Sequence, residues 1–406
     1  MISEIGTADS RDGCEHGLTV IVPTCNRRDL LDRLLASLEG EWQDLEEVLV
    51  VVNATTDDTL ALLEHHSALR PKLRFLERKA PGKSGALNHA ISASRGEFLA
   101  FVDDDVVVRP GWAAGYLRAF RDTQASALQG RILMPESVQS DSELMDQVRR
   151  MRTHVVVDYG LACRSRHSLT GANMAVRRST LERVGLFDER LGPGASGLCE
   201  DTDLAWRILG AGGTIQYVAQ ATVEHHFHSV RMTEAYFVEY FHRLGRSRWL
   251  MKGCPNALRV LPSYLISCAR QAWSGFYGTA DRRYLYRARR LHYTAMLRSS
   301  LGANGVHVTN GNHAPAAARL ANGHALKPGL ALNGNHAANG AHALNGTASA
   351  NGTHAPNGNH AAPHLVNGNH AAHGAQRLRP EGADVALGAR IPPPAVVTDS
   401  RIQALP

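Results

Sequence analysis

The 406-residue sequence lacks any apolar stretch near the roughly 20 residues that a membrane-spanning helix needs. The best candidate, residues 257–273, is short and is interrupted by Arg259, Pro262 and Arg270. The N-terminal residues 1–16 have no apolar core of the kind that secretion signals carry. We therefore predict a flexible N-terminus, no signal peptide and a cytoplasmic protein that makes at most peripheral contact with the inner face of the membrane.

Cysteine pairs and glycine-rich phosphate loops are also missing. The six cysteines show neither Cys-x-x-Cys spacing nor a disulfide-like pattern, so reduced thiols are the simplest interpretation. They are Cys14, Cys25, Cys163, Cys199, Cys254 and Cys268. No G-x-G-x-x-G follows the first apolar run "LTVIV", which disfavours a dinucleotide oxidoreductase. The glycine-rich basic loop of a sugar nucleotidyltransferase is absent there too.

Large apolar residues become scarce beyond about residue 300, where asparagine, glycine, histidine and alanine dominate. Such a composition buries too little surface to offset its ordering entropy, so we predict a disordered tail over 301–406. Its ten histidines, from His307 to His373, are too irregularly spaced for a fixed metal site. The net charge of +6 argues weakly for an anionic ligand and hardly at all for nucleic acid.

Apolar runs alternate with helical patterns through the first hundred residues, which predicts a parallel α/β sheet with right-handed crossovers. The predicted strands are residues 18–22, 47–52, 72–76 and 97–102. We expect Asn26 to cap the first helix, with Asp29 completing a capping box. We expect Gly96 to end the third helix in the left-handed conformation.

Three adjacent acids, Asp103, Asp104 and Asp105, end the fourth predicted strand. Open α/β sheets bind ligands at the carboxyl ends of their strands, and hard divalent cations prefer oxygen ligands. In an extended chain Asp103 and Asp105 share one side and Asp104 faces the other. The local pattern fits either a site for Mg²⁺ or Mn²⁺ or a solvated acidic turn.

A second acidic group, Glu200, Asp201 and Asp203, opens a predicted helix in "EDTDLAWRI". The helix macrodipole favours acids at that position, and this alone accounts for Asp203. A carboxylate there is also a suitable general base if it reaches an acceptor hydroxyl.

Six segments in sequence resemble the family 2 glycosyltransferases, which have the GT-A fold. They are "VIVPTCNR", "VVVNATTDDT", "GKSGALNHAISASRGEFLAFVDDDV", "LTGANMAVRRSTLERVGLFDERL", "CEDTDLAWRILGAGGTIQYV" and "VEHH". The resemblance implies a Rossmann-like, mostly parallel sheet flanked by helices over 17–230. Residues 17–125 would form the nucleotide-sugar-binding half and 126–230 the acceptor-binding half.

The resemblance also implies an inverting transfer of a sugar from a nucleoside-diphosphate sugar to an acceptor. Mn²⁺ or Mg²⁺ would be held by Asp105, Asp103 and His225, with His226 and His228 as neighbouring candidates. Asp201 would be the general base, with Glu200 beside it. Donor contacts would come from Pro23, Thr24, Asn26, Arg27, Asn53, Lys83, Asn88, Asp103 and Asp104.

Two features leave alternatives open. Val52 stands where the family usually has an acid that contacts the base or ribose, so Asn53 or Asp57 would substitute, or the base would differ. Lys83 and Asn88 flank a helix start that suits an anion, although a surface lysine in a glycine-rich turn fits the pattern equally well.

Residues 231–300 read as helices rich in arginine and aromatics. This region would cover the acceptor side of the cleft, rest on an anionic membrane surface or form an ordinary helical cap. Sugar-nucleotide binding without transfer is the non-enzymatic alternative, although a mere binder needs no base.

Overall fold

The computed structural model of the protein describes residues 17–161 and 165–302. The predicted flexible N-terminus and the predicted disordered tail lie outside the described residues, apart from Leu301 and Gly302. Nine described strands form one sheet, in the order β3-β2-β1-β4-β8-β6-β9-β5, with β7 paired to β9. The strands are β1 (Leu18–Thr24), β2 (Leu45–Asn53), β3 (Leu73–Arg78), β4 (Phe98–Val102), β5 (Val106–Val108), β6 (Ala127–Leu133), β7 (Ser165–Arg166), β8 (Asn173–Arg177) and β9 (Ile215–His225).

Helices flank this sheet and then form a C-terminal group. In the first part of the chain they are α1 (Arg28–Ser37), α2 (Thr59–Leu69), α3 (Lys83–Ala93) and α4 (Trp112–Asp122). The second part contributes α5 (Glu136–Gln139), α6 (Ser142–Met151), α7 (Arg178–Val184) and α8 (Glu200–Gly210). The C-terminal group is α9 (Glu234–Met251), α10 (Ala257–Tyr277) and α11 (Ala280–Ser300).

The predicted parallel sheet is confirmed in the first half of the chain. Strand β1 pairs in parallel with both β2 and β4, and β2 pairs in parallel with β3. All residues of β1 and β4 are buried, which explains their continuous apolar sequences. The carboxyl ends of β1, β2 and β4 therefore lie at one edge of the sheet, and the three acids follow β4 directly.

The predicted cap of the first helix is wrong. Arg27 occupies the N-cap position of α1 and makes no side-chain cap hydrogen bond. Asn26 instead has a positive φ of 52°, and its Oδ1 accepts a 2.7 Å hydrogen bond from the backbone N–H of Thr56. Asparagine tolerates this left-handed backbone better than most residues. It therefore joins the loop after β1 to the loop after β2.

The expected left-handed glycine at the end of the third helix is also wrong. Helix α3 ends at Ala93, and Gly96 is not among the glycines with positive φ. A Cβ on Gly96 would lie 2.6 Å from the carbonyl oxygen of Gly17 and 2.8 Å from the backbone nitrogen of Thr19. Glycine is needed there because the chain entering β4 passes directly against β1.

The second half of the sheet contains both parallel and antiparallel strand pairs. Strand β8 runs antiparallel to β4, with Val102 paired to Asn173, and β6 continues the sheet antiparallel to β8. Asn173 is buried and uses its whole side-chain amide. Its Oδ1 accepts hydrogen bonds from Trp112 and Tyr116, and its Nδ2 donates to the carbonyls of Arg131 and Ala221. Asn173 thus ties α4, β6 and β9 to the strand beside the acidic loop.

The C-terminal helices pack onto the sheet domain through a shared apolar cluster. Met151 and Leu198 contribute to it from the domain, and Phe237, Tyr240 and Leu291 from α9 and α11. None of the helices within 17–161 and 165–302 is long and apolar enough to cross a membrane. The predicted cytoplasmic location and the predicted domain boundaries stay predictions.

Replacing Asn173 tests the connection between the sheet halves. Asn173→Leu should lower the free energy of unfolding by at least about 3 kcal/mol, because it leaves four buried polar groups without their partners. Tyr116→Phe should cost less, about 1–2 kcal/mol, because it removes only one of the four hydrogen bonds of the Asn173 side chain. Urea unfolding followed by circular dichroism measures both. Equal stability losses in the two variants would contradict this role of Asn173.

Candidate active site

The three acids after β4 are buried. Asp103, Asp104 and Asp105 are each at most 2% exposed, so the alternative of a solvated acidic turn is wrong. Carboxylates out of water need compensating positive charge or hydrogen bonds. Each of the three acids has a different set of partners.

Asp104 faces the loop after β1. Its Oδ2 accepts a 2.8 Å hydrogen bond from the Thr24 hydroxyl, and its Oδ1 lies 2.9 Å from Arg27 Nη1. Burial raises the pKa of Asp104 to about 6, although the Arg27 charge opposes that rise. Pro23 lies within β1, paired to β2. Thr24 and Arg27 thus hold the acidic loop through Asp104, and their predicted donor contacts stay predictions.

Asp105 lies among four cationic or ionisable side chains. Its Oδ2 is 2.9 Å from His228 Nε2, 3.2 Å from Arg27 Nη1 and 3.3 Å from Arg231 Nη2. Burial alone would raise the pKa of Asp105, but His225, His228 and the two arginines hold it well below its usual range. Asp105 is therefore ionised at neutral pH.

Three buried atoms in this region have no hydrogen-bond partner in the described chain: Asp103 Oδ2, Asp105 Oδ1 and His225 Nε2. The three residues each place a ligand atom within 4.8 Å of the others. Buried polar atoms are nearly always satisfied, so three neighbouring exceptions mark this cluster as a candidate ligand site. Two carboxylate oxygens and one imidazole nitrogen form a donor set that suits a divalent cation.

The tautomer of His225 fits this interpretation. Its Nδ1 lies 3.0 Å from the carbonyl oxygen of His226, an acceptor that requires a proton on Nδ1. Burial lowers the pKa of His225 to about 4 despite the nearby charge of Asp105, so the ring is neutral near pH 7. The Nε2 lone pair is then directed to the cluster, as in metal-binding histidines whose other nitrogen is fixed by a carbonyl.

The other two histidines have different partners. His226 Nδ1 lies 3.3 Å from Arg33 Nη1, and His228 Nε2 pairs with Asp105 Oδ2 as described above. Of the three candidates, His225 is the one that the cluster geometry selects.

Lys83 connects the two acidic groups of the sequence. Its Nζ lies 2.7 Å from Asp103 Oδ1 and 3.3 Å from Glu200 Oε1. The lysine is buried, so the alternative of a surface residue is wrong. Burial lowers the pKa of Lys83, but the charges of Asp103 and Glu200 outweigh it and the pKa lies above its ordinary value. Lys83 is therefore a permanent cation between the acidic loop and α8.

Asp201 is held by the backbone at the start of α8. Its Oδ2 accepts a 2.8 Å hydrogen bond from the N–H of Gly171, and its Oδ1 accepts one of 2.6 Å from the N–H of Thr202. A Cβ on Gly171 would lie 3.3 Å from Lys83 Nζ, so glycine lets the backbone approach both groups. The segment "LTGAN" thus positions Asp201 through Gly171 and the sheet through Asn173.

Glu200 and Asp203 have distinct surroundings in the same helix. Burial raises the pKa of Glu200 to about 6; the Lys83 charge opposes this rise and Asp201 adds to it. Asp203 Oδ2 accepts a 2.8 Å hydrogen bond from Arg207, which in turn donates to the carbonyls of Val184 and Gly185. Asp203 is a structural acid, as the helix-start interpretation predicts.

Among the other candidate donor residues, Asn53 has a side-chain oxygen without a hydrogen bond from the described residues, whereas Asp57, Asn88 and Asn26 bond to the backbone of neighbouring segments. Asn53, at the end of β2, is buried and its Oδ1 has no partner in the described chain. Asp57 instead binds the backbone of Thr59 and Arg28. Asn88 exchanges two hydrogen bonds with the backbone of Phe187 and donates a third to Glu189, so it fixes that loop. Asn26 joins two loops.

Arg231 is the site residue that sequence reasoning missed. It is buried, and it reaches Asp105 from the segment after β9. No local pattern in "HSVRMT" marks this arginine, because its role depends on a contact 126 residues away in the chain.

Residues 19–185 match the model of the family described as glycosyl transferase family 2. The chain is 27% identical over 228 residues to a pre-mycofactocin glycosyltransferase of Mycobacterium tuberculosis, covering 51% of this chain and 42% of the relative. It is 28% identical over 233 residues to the O-antigen biosynthesis protein RfbC of Myxococcus xanthus, covering 54% and 18%. Succinoglycan biosynthesis protein ExoO of Rhizobium meliloti is 30% identical over 206 residues, covering 48% and 56%.

The match over residues 19–185 confirms the predicted resemblance to glycosyltransferase family 2, and the predicted α/β fold class is confirmed as well. It spans less than half of the length of the first two relatives. Among solved structures, the mannosyltransferase PcManGT from Pyrobaculum calidifontis, in complex with GDP-Man and Mn²⁺, is similar with a TM-score of 0.42. That likeness is at 20% identity and covers 75% of this chain and 78% of the other.

Substituting the histidines tests the metal centre without any turnover. His225→Leu should weaken Mn²⁺ binding at least about 10-fold, because it removes the nitrogen directed at the two carboxylates. His226→Leu is the matched control and should leave the affinity within about twofold. Calorimetric titration with Mn²⁺ alone measures both. Equal affinities in the two variants would show that His225 is not a ligand.

Proposed function

We propose that this chain transfers a sugar from a nucleoside-diphosphate sugar to an acceptor hydroxyl in a single displacement that inverts the anomeric carbon. The observation that carries the proposal is the set of three buried atoms at Asp103, Asp105 and His225 without a hydrogen-bond partner in the part of the chain that the structure describes. Lys83 joins this set to Glu200 of α8. A cation site and a candidate base then belong to one connected group of side chains. The family of the domain supports the same activity.

Asp201 is the proposed general base. Both of its oxygens accept backbone hydrogen bonds, which fix the carboxylate in one orientation. In this role Asp201 would accept the proton of the acceptor hydroxyl. As that proton moves to Asp201, the acceptor oxygen bonds to the anomeric carbon and the bond to the diphosphate breaks. Glu200 lies beside it and assists in orienting the acceptor.

Asp103, Asp105 and His225 would hold the divalent cation, proposed to be Mn²⁺ or Mg²⁺. Such an ion offsets the negative charge that gathers on a departing diphosphate. The fixed positive charges of Arg27 and Arg231 lie beside Asp105 and would add to the attraction for an anionic leaving group.

Donor recognition is proposed to involve Asn53. The carboxyl end of β2 lies at the same sheet edge as the acids, and Asn53 has a buried Oδ1 without a partner in the described residues. An asparagine amide both donates and accepts hydrogen bonds, so it fits a nucleobase edge or a ribose hydroxyl. Thr24, Asn26 and Arg27 shape the loop beside it. Asn88 fixes a loop next to Glu189 and contributes indirectly.

Two acids of α8 provide a matched pair for testing the base. Asp201→Asn should slow transfer by about 10²- to 10⁴-fold, the usual scale for a lost general base, and leave donor binding nearly unchanged. Asp203→Asn should reduce the rate less than about threefold, because Asp203 serves Arg207 and not the acceptor. Initial transfer rates, measured beside donor affinity, give the comparison. If Asp201→Asn transfers sugar at the parental rate, Asp201 is not the general base and Glu200 becomes the candidate.

Asp105→Asn should weaken donor binding and Mn²⁺ binding together, by at least about 10-fold each, because it removes an anionic ligand from the proposed cation. Asp158→Asn is the control, since Asp158 pairs with Arg131 outside the cluster. Calorimetry with a panel of nucleoside-diphosphate sugars in the presence of Mn²⁺ measures donor affinity. Unchanged donor affinity in Asp105→Asn would contradict the proposal that a cation held by Asp105 takes part in donor binding.

The products of the reaction separate the proposal from its alternatives. A transferase releases a nucleoside diphosphate, a nucleotidyltransferase releases pyrophosphate, and a sugar-nucleotide-binding protein releases neither. Chromatography of products from a donor panel with Mn²⁺ or Mg²⁺ therefore decides the reaction class. The acceptor is proposed only as a class, a hydroxyl-bearing glycan, lipid-linked or natural-product molecule.

A further inference from the structure

Helix α10 presents its apolar side to solvent. Six of its large apolar side chains are between 51% and 83% exposed: Leu258, Leu265, Ile266, Trp273, Phe276 and Tyr277. At 100° per residue these side chains, with Leu261, Pro262, Ala269 and Ala272 among them, occupy one continuous stripe. The stripe runs the length of a 21-residue helix, which is about 30 Å.

The inward side of the same helix is comparatively polar. Its buried residues are Val260, Ser267 and Ser274. The two serines donate to carbonyls of their own helix, and Arg290 of α11 pairs with Gln271. This is the reverse of a helix on the surface of a water-soluble domain, where the apolar face points to the core. An exposed apolar stripe of this length marks a surface that contacts something other than water.

Helices α10 and α11 together carry a strongly positive charge. Residues 257–300 contain eight arginines and a single acid, Asp281. Helical geometry places Arg259 and Arg270 along one edge of the stripe, next to Ile266 and Tyr277. Large aromatics, an apolar face and arginines at its edge are the composition of helices that lie in a membrane interface.

We propose that α10 docks the protein on an anionic lipid bilayer, with its axis in the plane of the membrane and Trp273, Phe276 and Tyr277 inserted at the headgroup level. Pairing with a second copy fits less well. A symmetric contact through this stripe would bring the arginines of one copy towards those of the other, whereas an anionic bilayer neutralises them. The inference concerns attachment to a surface and does not depend on the proposed transfer reaction.

Flotation of the full chain with lipid vesicles tests the docking. The protein should bind vesicles of phosphatidylcholine with phosphatidylglycerol, and bind phosphatidylcholine alone several-fold more weakly. Measurement at about pH 8, above the ordinary pKa of histidine, makes arginine the main source of attraction. Arg259→Gln/Arg270→Gln should weaken binding to the anionic vesicles and leave binding to phosphatidylcholine unchanged. The difference in affinity between the two vesicle types should therefore become smaller.

The apolar contribution is tested with matched double variants. Trp273→Ser/Phe276→Ser should lower the partition coefficient at least about 10-fold. Leu69→Ser/Leu161→Ser removes two other exposed apolar side chains, 64% and 81% exposed, and should change it less than about twofold. Quenching of tryptophan fluorescence by brominated lipid is the independent measurement. This quenching should fall sharply in Trp273→Phe, because the variant lacks the inserted tryptophan but keeps an apolar side chain and the fold.

Absence of binding to anionic vesicles would overturn the proposal. So would equal losses in the two double variants, or lipid quenching that is unaffected by Trp273→Phe. A dimer in sedimentation experiments that dissociates in Trp273→Ser/Phe276→Ser, with no vesicle binding by the parent chain, would assign the stripe to a second copy. Vesicle binding by a protein without transferase activity would support the docking and reject only the proposed reaction.

Discussion

Mutual repulsion among buried carboxylates is the constraint on which this structure depends. Asp103, Asp105 and Glu200 lie out of water near the same sheet edge, where like charges are costly. The fold supplies compensating cations from distant parts of the chain: Lys83 from α3 and Arg231 from the segment after β9. The balance is incomplete, since one oxygen of Asp103 and one of Asp105 accept no hydrogen bond from the described residues. The positions of α3, α8 and the end of β9 are all coupled to this charge balance.

The sequence predicts the first half of the fold well, because parallel strands buried on both faces are continuous apolar runs. It also predicts the location of the acids, since the carboxyl end of β4 follows directly from the position of that strand. The ends of the helices are harder to predict from the sequence. Asn26 and Gly96 are typical capping residues, but each is used for a loop-to-loop or strand-to-strand contact that no local pattern reveals.

The candidate site could be predicted as a set of residues but not as a set of contacts. Asp203 and Asp201 look alike at a helix start, and only their partners, Arg207 and the N–H of Gly171, distinguish a structural acid from a candidate base. Likewise, the sequence alone allows Lys83 to be a surface lysine, and only the structure shows its ion pairs with Asp103 and Glu200. Contacts between segments 20 to 120 residues apart carry no periodic signal, so sequence reasoning cannot assign them.

Asp201 is oriented by main-chain N–H groups, at Gly171 and Thr202. Backbone donors are present whatever side chains surround them, so a neighbouring side chain can be exchanged without depriving Asp201 of its two anchors. Residues around Asp201 are then free to diversify during evolution while the carboxylate keeps its orientation. A domain built in this way can change the side chains around Asp201 without turning the carboxylate, which suits a fold that hosts many different functions.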